Sequence, residues 1–144
     1  MKITKQFKFD AGHRLMLHTG KCHNLHGHEY CLDVSIVGEL DKYTGMVIDF
    51  SDLKPIVSPA IENMDHAMIL NIEDRDNIDH CLKHGYKMYS LKGEPTAENI
   101  ALHFLNYICR RIKADLRVWK VLIRLSETST SYVEVARDMQ VVEV

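Results

Sequence analysis

Two stretches of this chain alternate apolar and polar side chains with period two, and that pattern most limits how it can fold. Residues 2–9 carry Ile3, Phe7 and Phe9 on one face and Lys2, Thr4, Gln6 and Lys8 on the other. The segment His28–Leu40 repeats the pattern, with Tyr30, Leu32, Val34 and Ile36 together on one side. Successive side chains leave a pleated strand on opposite sides, so each stretch reads as a strand with one face buried. Residues 117–126 and 131–137 predict two further strands joined by the polar turn SETSTS.

Helical spacing lies between these pairs. Residues 97–113 follow the start signal Pro95-Thr96 and place Ile100, Phe104, Tyr107, Ile108 and Ile112 on one face. Ser51 is a candidate cap for an earlier helix reaching roughly Met64, which Pro55 and Pro59 should leave short or irregular. Gly45 marks a turn before the apolar Met46-Val47-Ile48. In residues 72–94, Asp74 and Asp76 suit the start of a short helix, Gly85 its end, and Tyr86–Leu91 a short strand. The main order, strand–strand–helix–helix–strand–strand, implies an α+β fold with an antiparallel sheet. Four strands leave two open edges, which favours an oligomer.

The bulk properties exclude several classes. With 144 residues the chain suits one domain, spanning 1–144. A formal net charge of −2 with both signs interleaved offers no attraction for nucleic acid or an anionic membrane. No apolar run reaches the length of a membrane span, and MKITKQFKFDAGH lacks a secretory h-region. Cys22, Cys31, Cys81 and Cys109 show no framework spacing. Reduced thiols and a cytoplasmic location are therefore expected.

Chemistry concentrates in KCHNLHGHEY, residues 21–30. His26 and His28 stand two apart where a strand begins, so both rings leave the same face. His13 ends the neighbouring strand and is placed to add a third imidazole. Three neutral imidazoles without a fourth protein ligand compose a catalytic zinc site with an open position. His18 and His23 lack this geometric argument and read as solvent-facing, or as groups meeting an anionic substrate. Cys22 fits two roles, a fourth ligand closing a structural site or a thiolate beside the metal.

Six motifs in series carry a resemblance: FDAGH at 9–13, CHNLHGH at 22–28, TGMVIDF at 44–50, MDHAMILN at 64–71, PTAEN at 95–99 and SET at 126–128. Together they resemble the 6-pyruvoyltetrahydropterin synthase and 6-carboxytetrahydropterin synthase family. The resemblance implies the T-fold, a four-stranded antiparallel sheet with two helices on one face. It further implies subunits joined by their edge strands, commonly a hexamer built as a dimer of trimers. Zinc, one per subunit, would be held by His13, His26 and His28, with Cys22 as catalytic thiol and not a ligand. Asp65 and His66 match the second catalytic pair, a carboxylate that orients an imidazole for proton transfer. Glu127 matches the carboxylate that grips the pterin ring through two parallel hydrogen bonds. Thr96 suits either the pterin pocket or a helix cap.

Zinc would act as a Lewis acid on the side-chain hydroxyls of 7,8-dihydroneopterin triphosphate. The compact CHNLHGH spacing looks like bacterial members, so the expected product is 6-carboxy-5,6,7,8-tetrahydropterin, with acetaldehyde and triphosphate released toward queuosine-type deazapurines. The alternative is 6-pyruvoyltetrahydropterin for tetrahydrobiopterin synthesis; a non-catalytic zinc protein ranks third. Arg14 and Lys21 are candidate triphosphate contacts. Two departures stand out. Segment 72–94 is longer than in the shortest bacterial members and its His80, Cys81 and His84 match no family motif; some relatives replace the cysteine with a nearby glutamate, whereas this chain keeps Cys22, with Glu29 close by.

Overall fold

The structure is a computed structural model that describes residues 1–112 and 117–139. Six strands form one sheet: β1 (Lys2–His13), β2 (His26–Gly38), β3 (Ala67–Asn71), β4 (Met88–Leu91), β5 (Val118–Ser126) and β6 (Tyr132–Asp138). Their order across the sheet is β4-β3-β1-β2-β5-β6. Three α-helices complete the fold: α1 (Phe50–Met64), α2 (Arg75–His84) and α3 (Ala97–Cys109). The last residue of the helix expected over 97–113 lies outside the described residues.

The four strands expected from alternation are present and antiparallel, β1 with β2, β2 with β5 and β5 with β6. The expectation of a four-stranded, purely antiparallel sheet is corrected by β3 and β4, which add to β1 in parallel. β3 is covered on both faces, so Ala67-Met68-Ile69-Leu70 is a continuous apolar run without a period to read, closed by the buried Asn71. The T-fold's two helices are joined by α2, the short helix expected between Asp74 and Gly85, and β4 falls within the strand expected over Tyr86–Leu91, so helices lie on both faces. Ile69 packs into the main core with residues of α1 and α3. Leu70, facing the other way, meets Ile78 and Cys81 of α2. So α1 and α3 cover one face, as expected, while α2 covers the opposite face near the β3–β4 edge.

Residue chemistry explains the boundaries. α1 starts at the Asp49 carboxylate, which accepts from Ser51 N–H at 2.7 Å, so Asp49 takes the cap expected of Ser51. The helix runs unbroken through Pro55 and Pro59. These prolines stand four apart on the exposed face, so the carbonyls of Ser51 and Pro55 that lose partners open toward water. Gly85 ends α2 in the left-handed conformation, φ 69°, which suits a residue without Cβ. Thr96 caps α3, its Oγ1 accepting from Asn99 N–H at 3.2 Å. Tyr30, Leu32, Val34, Ile36, Phe104 and Ile108 are fully buried at the centre of the core. No helix among the described residues is long and apolar enough to cross a membrane.

Candidate metal centre

Register between β1 and β2 builds the centre. His13 pairs with His26 and Ala11 with His28, so the three imidazoles leave the same face of two adjoining strands. Gly27 lets the strands come close: a Cβ there would stand 2.9 Å from the Ala11 carbonyl oxygen. The ring centroids are 4.5 Å apart for His13 and His26, 5.1 Å for His13 and His28, and 5.0 Å for His26 and His28.

Hydrogen bonds fix the tautomers. His13 Nδ1 faces the Pro95 carbonyl at 2.8 Å, and His26 Nδ1 faces the Asn24 carbonyl at 2.7 Å. A carbonyl only accepts, so both Nδ1 atoms carry the proton, and in neutral rings both Nε2 atoms present lone pairs. Yet these Nε2 atoms lie 3.0 Å from each other. Glu127 adds an oxygen, with Oε1 3.1 Å from His13 Nε2 and 3.0 Å from His28 Nε2. His28 Nε2 is buried and makes no hydrogen bond, because that short approach lacks the necessary alignment. Donor atoms of His13, His26, His28 and Glu127 all fall within 4.8 Å of one another. Burial pushes the His28 pKa down; Glu127 opposes the shift, and the neighbouring imidazoles of His13 and His26 reinforce it. A proton is thus disfavoured on His28, and a metal ion suits the donor set.

Other expected residues fall around this group. Cys22 is half-buried on a single 3₁₀ turn, Lys21–His23, and its thiol is free. It stands outside the four-residue donor group. His18 and His23 are exposed, as expected of loop residues. Tyr30, read from the sequence only as a residue on the buried face of its strand, is fully buried with its hydroxyl 3.3 Å from His13 Nδ1, and burial raises its pKa. The approach of Glu127 to the imidazoles follows from β2–β5 pairing: Cys31 opposes Ser126, so the residue after β5 stands beside Tyr30 and near His28.

The 6-pyruvoyl tetrahydropterin synthase family model matches residues 2–138. The chain belongs to this family. A Rickettsia bellii protein named 6-carboxy-5,6,7,8-tetrahydropterin synthase is 40% identical over 137 residues, covering 94% of this chain and 99% of that one. A Haemophilus influenzae protein of the same name is 44% identical over 140 residues, covering 92% and 96%. The structure of 6-pyruvoyl tetrahydropterin synthase from Plasmodium falciparum superposes with a TM-score of 0.77 at 21% identity, covering 96% and 98%. The fold is the T-fold.

In this member of the 6-pyruvoyl tetrahydropterin synthase family, Asp65 and His66 form a second group with Asp10, separate from the imidazoles. Asp65 Oδ1 accepts from Asp10 N–H at 3.0 Å and lies 3.0 Å from His66 Nδ1. The backbone hydrogen bond from Asp10, then the His66 side chain, hold the Asp65 carboxyl below its usual range. His66 adopts φ 56°, the only positive φ outside glycine among the described residues. Thr96 is occupied as the α3 cap, and Pro95 beside it holds His13.

Proposed function

We propose that this chain converts 7,8-dihydroneopterin triphosphate to 6-carboxy-5,6,7,8-tetrahydropterin, releasing acetaldehyde and triphosphate. The reading rests on one observation above the rest: three imidazoles and a carboxylate bring donor atoms within 4.8 Å of one another, a set that suits a divalent cation. The relatives at about 40% identity carry the corresponding synthase name.

His13, His26 and His28 are the proposed zinc ligands. Bound zinc would supply Lewis-acid polarisation of the substrate side chain. Cys22 is the proposed base that removes a side-chain proton, since a thiol near a dication ionises near neutral pH. His66, oriented by Asp65, is proposed to carry a proton on the other side of the substrate. Glu127 is proposed to hold the pterin ring, turning from the imidazoles to accept from the 2-amino group and ring N3–H. Thr96 adds to that pocket from its capping position.

The domain is taken as the whole chain, 1–144, acting in the cytoplasm. A homohexamer, built as a dimer of trimers, is proposed on two grounds. β4 and β6 end the sheet with unpaired edges among the described residues. The second ground is the family to which the chain belongs, whose resemblance implies subunits joined through their edge strands.

Mass spectrometry of the products from 7,8-dihydroneopterin triphosphate tests the reaction. Finding 6-carboxytetrahydropterin with acetaldehyde supports it; 6-pyruvoyltetrahydropterin would move the assignment to the alternative synthase. Cys22→Ala should retain zinc and fold while losing turnover. Loss of metal and unfolding in that variant would instead indicate a closed structural site.

A further inference from the structure

We infer that Glu94 and Asp74 are positioning residues that clamp the loop carrying Cys22 to the body of the protein. The inference rests on the proposed role of Cys22 and gives a purpose to segment 72–94, which no family motif accounts for.

The loop between β1 and β2 carries little regular structure, only the 3₁₀ turn Lys21–His23. It folds back on itself through Leu15 N–H to the Cys22 carbonyl at 2.9 Å and His18 N–H to the Leu15 carbonyl at 3.1 Å. These bonds give it a shape but do not anchor it. Two carboxylates, in the segments that follow β4 and β3, provide anchors. Glu94 Oε2 accepts from Leu17 N–H at 3.2 Å, while its Oε1 accepts from Asn71 Nδ2 at 2.7 Å. Asn71 closes β3 and is itself buried. The Glu94 backbone carbonyl takes Asn99 Nδ2–H at 2.8 Å, so strand β3, helix α3 and the loop meet at one residue.

Asp74 acts three residues earlier, where the loop leaves β1. Its carboxylate is 5% exposed and lies 3.7 Å from Arg14 Nε, immediately after the ligand His13. Asp74 sits at the cap position of α2 yet makes no capping hydrogen bond with its side chain. Instead Asn77 Nδ2 donates to both its oxygens, at 3.0 and 3.1 Å, aiming the carboxylate. A buried carboxylate that leaves the α2 backbone N–H groups uncapped and is held by Asn77 facing Arg14 is better explained by the loop than by capping of α2. The adjacent Pro95 carbonyl orients His13, so one short segment, Glu94-Pro95, sets both a metal ligand and the loop with the thiol.

The test uses full-length zinc-loaded Glu94→Ala, Glu94→Gln and Asp74→Asn. All should keep their zinc, because His13 is held by a main-chain carbonyl that none of them alters. Hydrogen exchange across 15–25 should speed up about five- to tenfold in Glu94→Ala, the equivalent of one net hydrogen bond, with α3 unchanged. Cys22 alkylation by iodoacetamide, mapped by peptide mass spectrometry, should change in step. Turnover of dihydroneopterin triphosphate should fall on the order of 100-fold with KM little altered, as for a reacting group displaced by about 1 Å. Glu94→Gln keeps the volume and one acceptor oxygen and should fall between, which serves if the alanine variant does not fold. Unchanged loop exchange and alkylation in folded variants would overturn the clamp, as would a loosened loop with unchanged kcat. Exchange and alkylation need no substrate, so they judge the clamp even if the wild type proves inactive on this pterin.

Discussion

His66 holds a backbone conformation that L-residues with a Cβ rarely adopt. The Asp10 carbonyl accepts its N–H at 2.6 Å, and Asp65 holds its ring, so the strained turn is fixed from both ends. Strain of this kind persists where geometry matters more than stability. His66→Gly should therefore raise the urea midpoint slightly while turnover falls at least about 100-fold, the share typical of a proton-transfer group. A loss of both stability and activity would mark the imidazole as structural. The HxH spacing and the histidine ending β1 exposed the imidazole triad in the sequence, because strand period alone puts such rings on one face. The contacts of Tyr30 and Glu127 with that triad were not legible. They depend on which strand lies beside β2 and on side-chain reach, and neither leaves a mark on local spacing.

At the level of elements, Gly27 ties the β1–β2 pairing to the ligand set. Gly27→Ala would press a methyl against the Ala11 carbonyl and part the strands that carry His13, His26 and His28. Zinc affinity, measured by chelator competition, should weaken by about 10- to 100-fold, the range seen when ligands are misoriented. Helix α3 makes a separate prediction through His103, whose Nε2 lies 3.0 Å from the Tyr89 hydroxyl of β4. Burial lowers its pKa below 6.5, so the unfolded chain binds this proton more readily than the folded one. Its contribution to stability is therefore complete above pH 6.5 and declines as pH falls toward the lowered folded value. His28 acts in the same direction, so the readout is a difference: His103→Gln should flatten part of the fall in urea midpoint between pH 7 and pH 5.5. Equal slopes in both proteins would refute it. The same elements show where patterns inform. Half-buried strands and the Thr96-capped helix announced themselves by period, whereas β3 is covered on both faces and showed only an apolar run.

For the whole molecule, a sheet whose edge strands β4 and β6 are unpaired among the described residues favours association. Sedimentation equilibrium should give about six times the 16.6 kDa chain mass at micromolar concentration. A monomer with full turnover would overturn that expectation. The α+β class and the antiparallel half of the sheet followed from element order. The parallel extension and α2 on the reverse face did not, because parallel neighbours are set by crossover packing and not by a turn between adjacent strands.

The outer partners of His13 and His26 are both carbonyl oxygens of the main chain, at Pro95 and Asn24. Every amino acid has such an oxygen, so codon changes at 24 or 95 cannot delete either acceptor. Drift in the orientation of these two imidazoles during evolution must then come through insertions or deletions that move the loops, and surviving lineages should preserve loop length there even where residue type changes.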